Sequence, residues 1–375
     1  MPQDVISQLY NTSAIFVSPS PASGYCFSSG NSGDNLLAQI PRVQSCGFSF
    51  QRPLESIMQQ GQFANVEKIQ VSPASATCSL EYLMLDGKAE SVLGFNTDGQ
   101  GAFISGFLSK ATAEHNVYAS IVPEGLDNIG YTNGASTNVI AIGNAYVESY
   151  NMTLAVGQIP KASVSLAGSN FATYTGSQLN DSVAIDYLTD QPVVGVKYSM
   201  PTAISYTGSA IPSALRPGEI ELQIPSDVSI NDFASGVGTM HINSVSMSIN
   251  PGPDTITALG HFFPIAKKIS KPVDCQFSID ALAGDIANGS LATLRCNDTA
   301  KNMRVVMHTP GCGPTGAPAI IIQFNNAKLD SRDYSLSVGG GGATVRLNFV
   351  AQVGAANDIR NGIIFSGTHM FNTGL

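Results

Sequence analysis

The residues able to do chemistry are few and scattered. Five histidines (His115, His241, His261, His308 and His369) include no HxH or HExxH arrangement, so none has the neighbour that a zinc site needs at ligand spacing. Six cysteines (Cys26, Cys46, Cys78, Cys275, Cys296 and Cys312) contain no CxxC pair. Cys46 and Cys78 sit on stretches that alternate apolar and polar residues, the setting of buried free thiols acting as small hydrophobes. No GxSxG elbow presents a serine nucleophile. The run VGGGGA at Val338–Ala343 leads into Thr344, Val345 and Arg346 instead of the Lys-Ser/Thr of a phosphate loop, so it reads as a turn between strands. A glycosidase-type carboxylate pair has no fixed sequence spacing and stays open. The expectation is a protein that is not an enzyme, with no catalytic, cofactor-binding or metal-ligating residue.

Charged residues are 12% of the 375-residue chain and tryptophan is absent. That is about half the usual share of charge. Lys and Glu are depleted where proteins pack against one another, so extensive subunit contact is one reading of this surface. The net charge of -9 argues against gripping nucleic acid through its phosphates. The opening MPQDVISQLY has neither the basic start nor the apolar core of a signal peptide, and no apolar run reaches membrane-span length.

What the chain does say, it says twice. Displaced by 199, residues 43–83 fall on 242–282 without a gap, with 9 identities in 41 positions. Ser45, Ser49, Ile57, Gly61, Phe63, Lys68, Pro73, Ser79 and Leu83 meet Ser244, Ser248, Ile256, Gly260, Phe262, Lys267, Pro272, Ser278 and Leu282. Further on the offset falls to 186 and then to 182, where NAYVESYNMTLAVG (144–157) faces NAKLDSRDYSLSVG (326–339). The first repeat thus carries 17 additional residues (199 minus 182), and the Gly-rich stretch beginning at Gly87 is read as an extended loop.

The elements that must position these residues are mostly strands. SVSMSI from Ser244, ATVRLNF from Ala343 and ASVSLAG from Ala162 alternate with period two. RPLESIMQQG and GPDTITALG each offer a proline, an early acid and a terminal glycine, which predicts one short helix per repeat. The predicted fold is mainly β: two tandem antiparallel β-sandwich or barrel domains, residues 1–199 with a long loop at about 84–143 and residues 200–375, each with a short flanking helix.

IGNAYVESYNMTLAVGQIPKASVSLAGSNF, VQSCGFSFQRPLESIMQQGQF and INSVSMSINPGPDTITALGHF resemble the strand, turn and strand units of tail tube proteins of tailed bacteriophages, over about residues 43–172 and 242–353. The resemblance implies a structural virion protein of the tail. Its rings would stack into a tube that conducts DNA without specific binding, self-associate, and meet other tail proteins but no membrane. With two domains per chain, a homotrimeric ring with near-sixfold symmetry is expected. Glu148 and Asp330, at matched positions in the two repeats, are candidates for acids facing the lumen. A distal-tail, hub or head-decoration protein of the same fold and a two-domain carbohydrate-binding or adhesive module are the alternatives.

Overall fold

The computed structural model describes residues 13–19, 37–108, 114–123, 126–129, 137–176, 178–187, 189–201, 203, 214–223, 242–282, 300–310, 316–335, 344–355 and 358–368. The Val338–Ala343 run, Cys26, Cys296, Cys312, His241 and His369 lie outside the described residues.

Strands form where the alternation predicts them. The first repeat contains β1 (Ala14–Pro19), β2 (Ala38–Gln39), β3 (Val43–Gln51), β4 (Leu54–Ile57), β5 (Glu67–Gln70) and β6 (Ser75–Leu83). Helices α1 (Lys88–Val92) and α2 (Ser105–Leu108) follow, then β7 (His115–Ile121), β8 (Asn138–Ala155), β9 (Lys161–Gly168), β10 (Asn170–Thr175), β11 (Gln178–Asp186) and β12 (Gln191–Ser199). The second repeat contains β13 (Ile220–Gln223), β14 (Ile242–Ile249), β15 (Pro253–Ile256), β16 (Ala266–Ile269), β17 (Asp274–Leu282), β18 (Lys301–His308), β19 (Pro318–Ser335), β20 (Thr344–Gln352) and β21 (Gly362–Gly367). Strand β6 shows the cause: Ala76, Cys78, Leu80 and Tyr82 point into the core while Ser75, Thr77 and Ser79 face outward. The three described cysteines are free, with Cys78 and Cys275 fully buried.

The two helices expected from RPLESIMQQG and GPDTITALG are instead hairpins, β4–β5 and β15–β16. Seven or so residues cannot sustain an isolated helix. Gly61 and Gly260, read as helix caps, take φ of 87° and 90° in the hairpin turns. The hairpins match bond for bond at the offset of 199: Val66 N–H donates to the Ile57 carbonyl at 2.8 Å, and Ile265 N–H to the Ile256 carbonyl at 2.9 Å.

The long strands β8 and β19 organise each repeat. The first half of β8 pairs with β7 and β10, and its second half with β9. The strand passes between sheets at Asn144, whose φ of 51° is left-handed and whose N–H is accepted by Asn116 Oδ1 at 3.2 Å. In β19 the same device recurs at Asn326, with φ of 57° and its N–H on Asn302 Oδ1 at 2.9 Å. Asparagine tolerates this conformation better than most side chains, and its own amide stitches the bend.

Each repeat therefore has an outer sheet and an inner one. The inner sheets, β3-β6-β9-β8 and β14-β17-β20-β19, are fused because the second half of β8 also pairs with β14, Ser244 facing Ala155 through to Ile249 facing Tyr150. One continuous eight-stranded inner sheet results. The main core is likewise continuous: one buried cluster runs from Ile15 through Tyr150 and Phe277 to Phe365, beside a smaller one around Phe16, Tyr118, Val139 and Val183.

The extended loop expected after Gly87 is not an arm. Met84, Leu85, Leu93, Phe95, Phe103, Ile104 and Phe107 are all buried, and the span expected as loop also contains α1, α2, β7 and the start of β8. Phe103 stacks on Phe95 at 4.3 Å and on Phe365 of the second repeat at 5.1 Å, with Tyr150 edge-on at 5.2 Å. Backbone bonds extend the contact: Phe103 N–H to the Ile363 carbonyl, Gly99 N–H to the Phe365 carbonyl, and Gly367 N–H to the Thr97 carbonyl. The additional residues are a clasp between the repeats. Their aromatic side chains gain more by burial at this seam than in water.

Candidate functional site

The inner sheet has one apolar face, turned to the core, and one polar face. The polar face is a field of small hydroxyl and amide side chains: Ser79 on β6, Ser163 and Ser165 on β9, Asn151 on β8, Ser246 on β14, Asn348 on β20. On the first repeat, Ser45, Ser79, Glu81, Asn151 and Ser163 line one shallow hollow that spans four strands. Hydrogen bonds lock the side chains laterally. Ser49 and Thr77 hydroxyls meet at 2.6 Å, Ser278 Oγ donates to Asn348 Oδ1 at 2.7 Å, and Asn348 Nδ2 donates to Ser331 Oγ at 2.8 Å.

Two cations on this face are matched by acids. Lys161 Nζ lies 2.8 Å from Glu81, and Arg346 Nε lies 2.7 Å from Asp280, the residue that matches Glu81 at the offset of 199. The Arg346 guanidinium and the Ser244 hydroxyl hold the Asp280 carboxyl below its usual range. Among the described residues this face is mostly hydroxyls, amides and these paired charges.

Glu148 and Asp330 are both exposed, and each occupies the extra position of a β-bulge, between Val147 and Ser149 and between Leu329 and Ser331. Glu148 accepts a bond from Ser165 Oγ at 3.2 Å, which places it beside the polar wall. Asp330 lines a cleft with Asn326, Lys328 and Val350. The structure does not bring the two acids together.

The sheet ends in two edges. Among the described residues, β3 at one end pairs with β6 alone, and at the other the second half of β19 pairs with β20 alone. The repeat itself shows what such edges look like when covered. Val245, Met247 and Ile249 of β14 are 4%, 1% and 0% exposed under β8. Their counterparts on β3 are Cys46 and Phe48, half-buried, and Phe50, 58% exposed. Tyr334 on β19, the counterpart of the fully buried Met152, is 57% exposed. Long unpaired edges carrying apolar side chains are templates for another strand.

Sequence reasoning missed three buried acids among the described residues, Glu90, Glu114 and Glu219, of which the first two gather tyrosine hydroxyls. Glu90 of α1 accepts bonds from Tyr82 Oη at 3.1 Å and Tyr150 Oη at 3.2 Å, and burial pushes its carboxyl up to about 7 although both hydroxyls favour the anion. Glu114 accepts bonds from Tyr146 Oη and Asn144 Nδ2, each at 2.8 Å, and from Tyr187 Oη. Lys267, on β16, crosses from the second repeat to the first and donates to the carbonyls of Asn144 at 2.9 Å and Ala167 at 3.2 Å. Its ammonium lies 5.2 Å from the Tyr146 ring centre, and burial lowers its pKa to about 8. Glu90 and Glu114 serve as hubs for tyrosine hydroxyls that would otherwise be buried unpaired. One signal was legible: Lys68 and Lys267 are identical in the aligned repeats.

Among the described residues there is no cluster of His, Cys, Asp and Glu able to hold a metal, and no helix long and apolar enough to cross a membrane. No protein-family model matches the chain, and no curated protein matches it.

Proposed function

We propose that the chain is a structural subunit of a tubular assembly, a tail tube protein of a tailed bacteriophage, whose copies join edge to edge into a ring that conducts DNA. The observation that carries this reading is the β8–β14 junction. It is a side-by-side join between two equivalent four-stranded sheets, and the chain ends in the two edges needed to repeat it, β3 and β19. In the chain Ser248 faces Asn151. Moving the first back by 199 and the second forward by 182 sets Ser49 opposite Asp333 of a neighbouring chain, and Phe48 opposite Tyr334.

Three chains would supply about 24 inner strands, and a tilted barrel of that size measures roughly 40–50 Å between facing backbones. The polar face would line it. Closure removes the two apolar edges, and the wall of hydroxyls and neutralised cations lets a polyanion slide instead of stick. Glu148 and Asp330 add exposed acid near this wall in the same sense. Electron microscopy with mass measurement of the purified protein tests the proposal. Rings of three chains, or hollow filaments built from them, are expected, and a persistent monomer at high concentration would overturn it.

A further inference from the structure

The lateral join has a second component beyond strand pairing. Within the chain, hairpin β15–β16 follows β14 across the seam, and Lys267 plugs into the bend of β8 on the carbonyls of Asn144 and Ala167. Phe262 N–H adds a bond to Asp190 Oδ2 at 3.0 Å, on the turn between β11 and β12. The first repeat has the same hairpin, with Lys68 at the position of Lys267, and Lys68 is exposed.

The second repeat has the same socket. Asn326 bends β19 as Asn144 bends β8, with the same asparagine bond beneath it. Val350 pairs with Lys328 as Ala167 pairs with Tyr146, so Val350 is the counterpart of Ala167. Where Lys267 fills the first socket, the second is an open cleft of about 640 Å³ lined by Asn326, Lys328, Asp330, Val350 and Asn361 among others.

We propose that Lys68 of one chain seats its ammonium in this cleft on a second copy of the chain, against the carbonyls of Asn326 and Val350. The inference rests on the reading that β3 of one chain pairs with β19 of the next. The two sockets differ in their lining: the positions of Tyr146 and Glu114 are taken by Lys328 and Ala300. The charge that favours the lysine at the intermolecular seam therefore comes from Asp330, which gives that exposed bulge acid a role in assembly. Lys328 opposes it, so the intermolecular lock is the weaker and the more sensitive to salt.

Acetylation of amines read by mass spectrometry tests this on the full chain, comparing rings with chains diluted below the association range. Lys68 is expected to be modified at least about tenfold more slowly in the ring, and Lys68→Met to raise the dissociation midpoint by about tenfold, the range for losing a charged hydrogen-bonding group. Lys88→Met, removing an exposed cation of α1, should leave the midpoint within about twofold. Unchanged thermal unfolding of dilute Lys68→Met shows that the fold is intact. Rings that form normally while Lys68 reacts at its free rate overturn the lock and leave ring closure standing. Absence of any association at high concentration overturns ring closure and the lock with it.

Discussion

Glu90 gives the most direct test of how the clasp is held. Its carboxyl is fully buried between Tyr82 and Tyr150, and folding raises its pKa from an ordinary 4.5 to about 7. The folded protein thus holds a proton that the unfolded chain releases. The stabilisation from this proton is complete below about pH 4.5 and is lost as pH rises through 7. At about 1.4 kcal/mol for each tenfold change in proton affinity, the swing is roughly 3 kcal/mol. Glu90→Gln keeps an acceptor for both tyrosines but cannot ionise. Urea unfolding of dilute protein at pH 5, 6, 7 and 8 provides the assay, with the difference between wild type and variant cancelling other carboxylates. Wild type is expected to lose roughly 2.5 kcal/mol relative to Glu90→Gln between pH 5 and pH 8. Parallel curves would refute the reasoning, because they would mean that Glu90 is either not desolvated or is ionised at all these values.

Three further outcomes follow from the same geometry. Phe103→Ala removes a side chain 1% exposed at the centre of the seam and should cost about 3–5 kcal/mol in chemical denaturation. Gly143→Ala would place a methyl 2.2 Å from the Val183 carbonyl oxygen of β11, a backbone atom that cannot step aside, and should lower stability by about 1–3 kcal/mol in the same measurement. Ser49→Cys combined with Asp333→Cys should trap a disulfide between chains on oxidation, since facing residues of an antiparallel pair lie within bridging distance. Closed trimers on non-reducing gels are the expected product, and exclusively monomeric protein would count against the proposed register.

Much of the fold was legible because β6, β9, β14, β17 and β20 bury one face and expose the other, so the alternation survives in the letters. Val245, Met247 and Ile249 between serines could be nothing but a strand. The hairpins were not legible as such because Pro53, Glu55 and Gly61 serve a turn as well as they serve a helix end, and only the partner strand decides. The clasp was hidden by its glycines, which suggested a polar loop, although Phe95, Phe103 and Phe107 are too many large apolar residues for a solvated arm. At the site, the search for charge led to Glu148 and Asp330, both exposed and both at bulges, while the polar wall is written in serines that look like filler. What could not be read at all is tertiary: that Glu90 meets two tyrosines 8 and 60 residues away.

The phenylalanine clasp occurs at the β8–β14 seam, and the additional residues that reach across to Phe365 belong to the first repeat. Chains joined head to tail would therefore alternate between a seam riveted by an aromatic stack on a covalent tether and a seam held by strand edges and a lysine plug. Under bending or internal pressure such an annulus would yield at every second joint, flexing as a triangle rather than a hexagon.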